Sequence, residues 1–177
     1  MPAPWASARF WRRHQPRLGL GPALLGAMLM LLMALLGVGG AQAQNQSDLV
    51  SLTLPTADYA RVRQALREAV EEQGLIFTPP NAFGEMLKRT GKDLGQGESP
   101  YGQAEIFQFC SVVLSWQLVK EDPAQIGRCP LSIALYTLRQ APGAVHLVYR
   151  SPGEGSPGLR QAGALLQRIA ARTASQW

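Results

Sequence analysis

Histidine and cysteine, the residues that most often build catalytic and metal sites, are scarce in this sequence. The 177 residues include only two of each, and one of the histidines lies near the N-terminus. Two cysteines and one remaining histidine fall short of the four ligands of a closed zinc site. No C-x-x-C or C-x-x-C-H motif is present, which removes the signatures of thioredoxin-like redox centres and of covalent haem attachment. We therefore expect no metal ion and no cofactor.

The motifs of common hydrolases and nucleotide-binding proteins are also missing. No serine lies in a G-x-S-x-G turn, and one histidine leaves little room for a Ser-His-Asp triad. The segment at 91–95 lacks the G-x-x-x-x-G-K-[ST] spacing of a phosphate-binding loop. Glu121 and Asp122 are adjacent acids, but neighbouring positions at a helix end do not face each other, so we interpret them as a solvated terminus. The sequence predicts no catalytic residue.

Acidic residues are absent from the N-terminal segment, which has the pattern of a secretory signal peptide. Residues 1–17 contain four arginines, residues 18–40 carry no charge, and Ala41-Gln42-Ala43 offers a small-x-small cleavage site. We expect export by the Sec route, cleavage after Ala43, and a periplasmic or secreted product. The alternative is an uncleaved membrane anchor at 18–40. Glycines just before the cleavage site weaken a helix there and favour cleavage.

Residues 44–177 then remain as a single domain of ordinary size. The signal peptide contains four of the 17 basic residues and none of the 12 acidic ones. The domain is therefore nearly neutral, and it lacks the net positive charge that is typical of proteins that bind nucleic acid. Contact with a membrane would arise only through an uncleaved signal.

Hydrophobic periodicity across this domain predicts alternating strands and helices. We expect a helix capped by Thr56 and stopped by Gly74, a surface excursion at 81–103, a hairpin around Ala141–Gly143, and a last helix capped by Ser156. Strands are predicted at 48–54, 75–78, 106–109, 131–138 and 145–149, with the remaining helix at 112–119. The order β-α-β-(α)-β-α-β-β-α indicates a single α+β domain, with an antiparallel-type sheet and helices on one face.

The predicted helix at 112–119 is apolar on nearly every side. Such a helix is typically enclosed in a core, and we interpret Trp116 as a core residue. Phe107, Phe109 and Tyr136 could line a pocket with Trp116 in this layer, although each of them singly suits the core.

Short motifs between residues 89 and 130 follow a recognisable order. They are Arg89-Thr-Gly-Lys-Asp-Leu-Gly95, Ala104-Glu105, Phe109-Cys110-Ser111, Glu121-Asp-Pro123 and Cys129-Pro130. Together they resemble the domain-of-unknown-function family numbered 302, over roughly residues 48–152 and more weakly over the final helix. The resemblance implies a compact α+β fold of the TATA-binding-protein-like type and no agreed activity. Exported relatives have His-Asn after the Asp-Pro pair, where this chain has Ala124-Gln125, so a role of that histidine does not carry over.

The cysteines are the strongest site candidates. In an exported protein an even number of cysteines favours a disulfide, here between Cys110 and Cys129. The two alternatives are buried, inert thiols, and a pair that acts as a redox centre or as ligands.

Further candidates for ligand or partner contacts are His146 and a line of arginines. His146 alternates with Val145 and Leu147 in its strand, so it faces the other side of the sheet. Arg160, Arg168 and Arg172 form a stripe along the last helix, which could meet anionic lipid or an acidic partner. The simpler interpretation of each is a surface residue.

These observations favour an exported envelope protein that serves as a non-catalytic binding or accessory module. Its partner would be an unknown envelope protein or a small molecule. The alternative is a thiol-dependent redox or small metal-binding protein that uses Cys110 and Cys129. A catalytic set is missing from the sequence, so we lean against an enzyme.

Overall fold

A computed structural model describes residues 48–177. The predicted signal peptide, its cleavage site and the alternative anchor at 18–40 lie outside the described residues. Within residues 48–177, no helix is both long and apolar enough to cross a membrane.

A four-stranded antiparallel sheet organises this part of the chain, with strand order β1-β4-β3-β2. The strands are β1 (Leu49–Pro55), β2 (Tyr101–Phe109), β3 (Leu131–Leu138) and β4 (Ala141–Arg150). The helices are α1 (Tyr59–Glu71), α2 (Phe83–Gly91), α3 (Val112–Glu121) and α4 (Pro157–Ala174), and a 3-10 helix (Pro123–Arg128) follows α3. The predicted α+β class with an antiparallel sheet is confirmed.

Strict alternation along β3 gives the sheet two different faces. Leu131, Ile133 and Leu135 are buried on one face, while the residues between them are only partly covered. The neighbouring strand β4 continues the buried face with Val145 and Leu147. Side chains alternate across a strand, so one face meets the core and the other does not.

Helices α1 and α4 cover the buried face and pack against each other. Helix α1 faces the core with one stripe of side chains, in which Val62, Leu66, Ala69 and Val70 are fully buried. Helix α4 buries Ala162, Leu165, Leu166, Ile169 and Ala170 in the same way. The core is therefore a layer between two amphipathic helices and one side of the sheet.

Two predicted helix starts have different outcomes. Ser156 caps α4 as predicted, since its hydroxyl accepts a hydrogen bond from Leu159 N. Thr56 does not cap α1, because its φ is 57° and its hydroxyl donates to Pro55 O. Asp58 is the cap instead, with its carboxylate 2.9 Å from Arg61 N. An N-cap needs extended backbone, which Asp58 has and Thr56 lacks.

The strand predicted at 75–78 is wrong, because this segment forms no continuous strand. Phe77, within this segment, forms an isolated bridge to Phe109 of β2. Asn81, which follows the segment, forms a second isolated bridge to Ile106. Pro79 and Pro80 lie between the bridges, and proline has no N–H to donate to a sheet. The hairpin prediction also shifts, because β3 and β4 join through residues 139–140 and Ala141–Gly143 belongs to β4.

The interpretation of the helix at 112–119 as enclosed on all sides is wrong. In α3 only Leu114 and Leu118 are buried, whereas Val112, Val113 and Trp116 are 71%, 81% and 63% exposed. The helix contacts α4 and the 3-10 helix, which cover one side of it. Trp116 is therefore a surface residue and not part of the core.

Glu121 connects the end of α3 to the start of α4 and is not merely a solvated acid. Its carboxylate accepts hydrogen bonds from Gly158 N, at 2.8 Å and 3.1 Å, and from the hydroxyl of Ser156. A carboxylate is favoured at a helix N-terminus, where free N–H groups carry partial positive charge. The hydrogen bonds from Ser156 and Gly158 lower the pKa of Glu121 below its ordinary value.

The two sides of α3 predict opposite effects of truncation. Leu118→Ala removes a fully buried side chain and should lower the free energy of unfolding by about 2–5 kcal/mol. Trp116→Ala, the matched change on the exposed side, should cost less than about 1 kcal/mol. Urea unfolding of both variants measures the difference. Equal losses would contradict the exposed position of Trp116.

The Glu121 contact predicts a pH-dependent contribution to stability. Because its pKa is lowered in the folded chain, the stabilisation is complete above the ordinary value of 4.5 and is lost as the pH falls below it. Glu121→Gln should therefore lower the melting temperature at pH 7, and the difference from the unchanged chain should shrink below pH ~4. Glu154→Gln, in the loop before α4, is the control and should show no such trend.

Candidate binding site

The face of the sheet opposite α1 and α4 forms an open trough of about 390 Å³. Its floor crosses all four strands, because Ile106 pairs with Ala134, Ala134 with Val148, and Val148 with Ser51. Larger side chains surround this floor, and they are Leu49, Phe83, Tyr101 and Tyr136. The volume lies in the range of small-molecule sites in proteins.

Two features make this face concave. Small side chains lie in its middle, at Ser51, Ala104 and Ala134, while aromatic rings stand around them. Helix α2 places Phe83 at the β2 edge and approaches the strand closely, since a Cβ on Gly84 would lie 3.0 Å from Ala104 N. Glycine at this position therefore lets α2 form one wall of the trough.

Aromatic rings run from that wall towards the middle of the sheet. Phe83 meets Tyr101 edge-on at 6.3 Å between ring centroids, and Tyr101 meets Tyr136 edge-on at 5.2 Å. Tyr136 then stacks on His146 at 4.8 Å with an interplanar angle of 15°. Burial raises the pKa of Tyr136, and nearby Tyr101 raises it further, so this phenol stays protonated and can donate a hydrogen bond.

His146 lies on this face, as its alternation with Val145 and Leu147 predicts. Its Nδ1 is 3.0 Å from the hydroxyl of Thr53 on β1. Its Nε2 is buried and has no hydrogen-bond partner among residues 48–177. The ring is held between a hydroxyl and a stacked phenol, so its main structural effect is to fix Tyr136.

A second polar cluster lies beside the trough, on the helix-covered side of β2. Glu105 accepts hydrogen bonds from the hydroxyl of Tyr59 at 3.0 Å and from Arg63 Nε at 2.7 Å. Burial raises the pKa of Tyr59, and the Glu105 carboxylate raises it further. The carboxylate is thus already paired and ties β2 to α1. In the sequence Glu105 stands out only as part of a motif, and its partners on α1 lie more than 40 residues away.

Both cysteines are free thiols in the structure. They lie where β2 ends and β3 begins, and these strands are neighbours. Ser115 Oγ is 3.4 Å from Cys110 Sγ and 3.2 Å from Cys129 Sγ. The bond between them stays a prediction, but the two side chains do come together. No three potential metal-ligating residues converge within the described part of the chain.

The arginine stripe on α4 is partly occupied by contacts within the chain. Arg172 makes a bidentate ion pair with Glu72, at 2.8 Å and 2.9 Å, and Arg160 donates to Glu154 O at 2.8 Å. Arg168 is exposed. This geometry favours the simpler interpretation, in which the stripe is the solvated side of α4.

The aromatic pocket considered from the sequence does not form. Phe107 and Phe109 are buried on the helix-covered face, and Tyr136 lies on the opposite face. Trp116 is outside both, with Lys120 Nζ 5.8 Å from its ring centroid. The prediction failed because alternation places Tyr136 on the side of the sheet away from the two phenylalanines.

The family model described as "Domain of unknown function DUF302" matches residues 50–175. The chain belongs to the DUF302 family. The match includes every strand and helix described above except the first residue of β1.

The crystal structure of an uncharacterized conserved DUF302 protein from Bacillus stearothermophilus has a similar fold. The TM-score is 0.56 at 14% sequence identity, and the similarity covers 74% of this chain and 99% of the other. At 14% identity, the similarity is evidence for a shared fold only. The comparison with curated proteins finds no match.

Proposed function

We propose that this DUF302 protein is an exported, non-catalytic binding module that holds a small, largely apolar ligand in the open trough. The observation that carries the proposal is the cavity of about 390 Å³ on the uncovered face of the sheet. Apolar and aromatic side chains with a few convergent polar groups are the usual lining of a ligand site.

The lining indicates what kind of ligand would fit. Ala134, Ile106 and Val148 offer a hydrocarbon floor, and the rings of Tyr101 and Tyr136 offer edges and faces to a planar group. The polar groups are hydroxyls, including that of Ser51. Glu105 is the one charged residue beside the trough, but its side chain alternates with that of Ile106, so its carboxylate lies on the helix-covered face, paired with Arg63. A neutral ligand with one or two hydrogen-bonding groups suits this lining, because an unpaired charge is costly to bury.

The titratable groups near the trough support binding and not catalysis. Acid–base catalysis needs a group that can exchange a proton with the substrate at a suitable position. Glu105 is occupied by two donors, and the His146 ring is packed between Thr53 and Tyr136. The Glu105 carboxylate faces α1, and Nε2 of His146, although it has no hydrogen-bond partner among residues 48–177, is buried, so neither group is presented to a molecule in the trough.

Export is part of the same proposal. The basic segment, the uncharged apolar segment and Ala41-Gln42-Ala43 together form a complete signal peptide. The family match at 50–175 lies wholly after the expected cleavage site. Export would place the module in the periplasm or outside the cell, where its ligand or an envelope partner would be met.

Filling the trough should abolish ligand binding. Ser51→Phe puts a large ring on the floor, whereas Val50→Phe adds the same ring to the other face of β1. We expect the naphthalene dye N-phenyl-1-naphthylamine, a neutral apolar probe, to bind the unchanged chain and the Val50→Phe control equally. Binding to Ser51→Phe should be at least about tenfold weaker, as measured by fluorescence titration.

Circular dichroism and melting temperature establish that both variants are folded before binding is compared. Equal dye affinity in the two phenylalanine variants would show that the dye binds elsewhere. The trough would then lose its role as the ligand site.

The signal-peptide proposal predicts that the exported protein begins at Gln44. Intact-mass analysis of the protein recovered from the periplasm or medium measures its N-terminus. The expected mass is that of residues 44–177. Recovery of the uncut chain in the membrane pellet would instead support the anchor at 18–40.

A further inference from the structure

The two thiols and Ser115 form a cluster that the trough does not use. Ser115 Oγ donates its single proton to Ser111 O at 2.8 Å. The same oxygen lies within hydrogen-bond distance of Cys110 Sγ, at 3.4 Å, and of Cys129 Sγ, at 3.2 Å. One hydroxyl thus contacts both sulfur atoms.

The two thiols differ in their access to solvent. Cys110 is exposed, so the sulfur of another molecule can reach it. Cys129 is half-buried, and burial raises the pKa of its thiol. An accessible thiol beside a sheltered one is the arrangement needed for attack by the first and release by the second.

We propose that Cys110 and Cys129 form a dithiol site that exchanges with disulfides of other proteins. The Cys110 sulfur, as thiolate, attacks one sulfur of the partner's disulfide, whose S–S bond breaks. One partner sulfur leaves as a thiolate and takes up a proton, and a mixed disulfide remains on Cys110.

The second step involves the neighbouring thiol. The Cys129 sulfur, as thiolate, attacks Cys110 Sγ, and the mixed disulfide breaks. The second partner sulfur leaves and is protonated. The chain has then lost two electrons and two protons, and the partner's disulfide has become two thiols. The product is the Cys110–Cys129 bond predicted from the sequence, here as the oxidised state of a reactive pair.

The surface beside Cys110 favours a polypeptide over a small disulfide. Val112, Val113 and Trp116 follow Cys110 on α3 and are mostly exposed, and Ile126 of the adjoining 3-10 helix is 71% exposed. Exposed apolar surface of this kind is typical of contacts with other chains. Its continuity with the dithiol indicates that the occupant is the apolar segment around a partner's disulfide.

The test uses the chain expressed from its full coding sequence, reduced and then mixed with glutathione disulfide or with insulin. Acid quenching and mass spectrometry measure the products. We expect the unchanged chain to form the Cys110–Cys129 bond and release two thiols. Cys129→Ser should accumulate a mixed disulfide on Cys110, and Cys110→Ser should react at least about tenfold more slowly.

Two surface variants test the nature of the partner. Trp116→Ser should slow the reaction with insulin several-fold and leave the reaction with glutathione disulfide unchanged. Leu94→Ser removes an apolar residue of similar exposure beyond the end of α2 and should change neither rate. Circular dichroism confirms the fold of each variant.

Three results would overturn the proposal. In the first, both thiols of the unchanged chain remain open to alkylation after treatment with either disulfide. In the second, Cys110→Ser and Cys129→Ser form adducts at equal rates. In the third, the Trp116→Ser and Leu94→Ser substitutions slow the reaction with insulin by the same factor. None of these results bears on ligand binding in the trough, so the two proposals fail separately.

Discussion

The packing of one face of the sheet against two helices is the constraint on which the rest of the structure depends. Leu135 and Leu147 are paired in register and fully buried under α1 and α4. Successive side chains on a strand point to opposite faces. Because Leu135 and Leu147 point to the helices, Ala134, Tyr136 and Val148 point to the other face. The chain has no further long helix among its described residues to cover that face. The trough is thus a direct consequence of how the core is built.

The sequence was sufficient for the parts of the fold that depend on local patterns. The stripe on α1, the Ser156 cap and the alternation of β3 all rest on neighbours within a few residues. The enclosed helix at 112–119 was wrong because apolar content does not say how many neighbours a helix has. The predicted strand at 75–78 was wrong because only Phe77 in it forms a bridge to β2, and Pro79 and Pro80 keep that bridge from continuing to the one at Asn81.

The candidate sites were harder to predict, because they join distant segments. Ser51, Ile106 and Ala134 form one floor only through the register of four strands. Small outward-facing residues were a visible signal in the sequence, but their positions across the sheet were not. The cysteines were identified from the sequence, whereas the hydroxyl of Ser115 between them required the structure. Shared DUF302 membership supplies the fold, and function has to be argued from these side chains.

Methyl resonances measured by NMR test the role of the trough most directly. Ile106 and Val148 line the trough. Ile133 and Leu147 occupy neighbouring positions in the same sheet, but their side chains are buried on the opposite face. On titration with the naphthalene dye, we expect large shifts for Ile106 and Val148 and little change for Ile133 and Leu147. Shifts confined to Val112 and Val113 on α3, with the trough methyls unchanged, would contradict it.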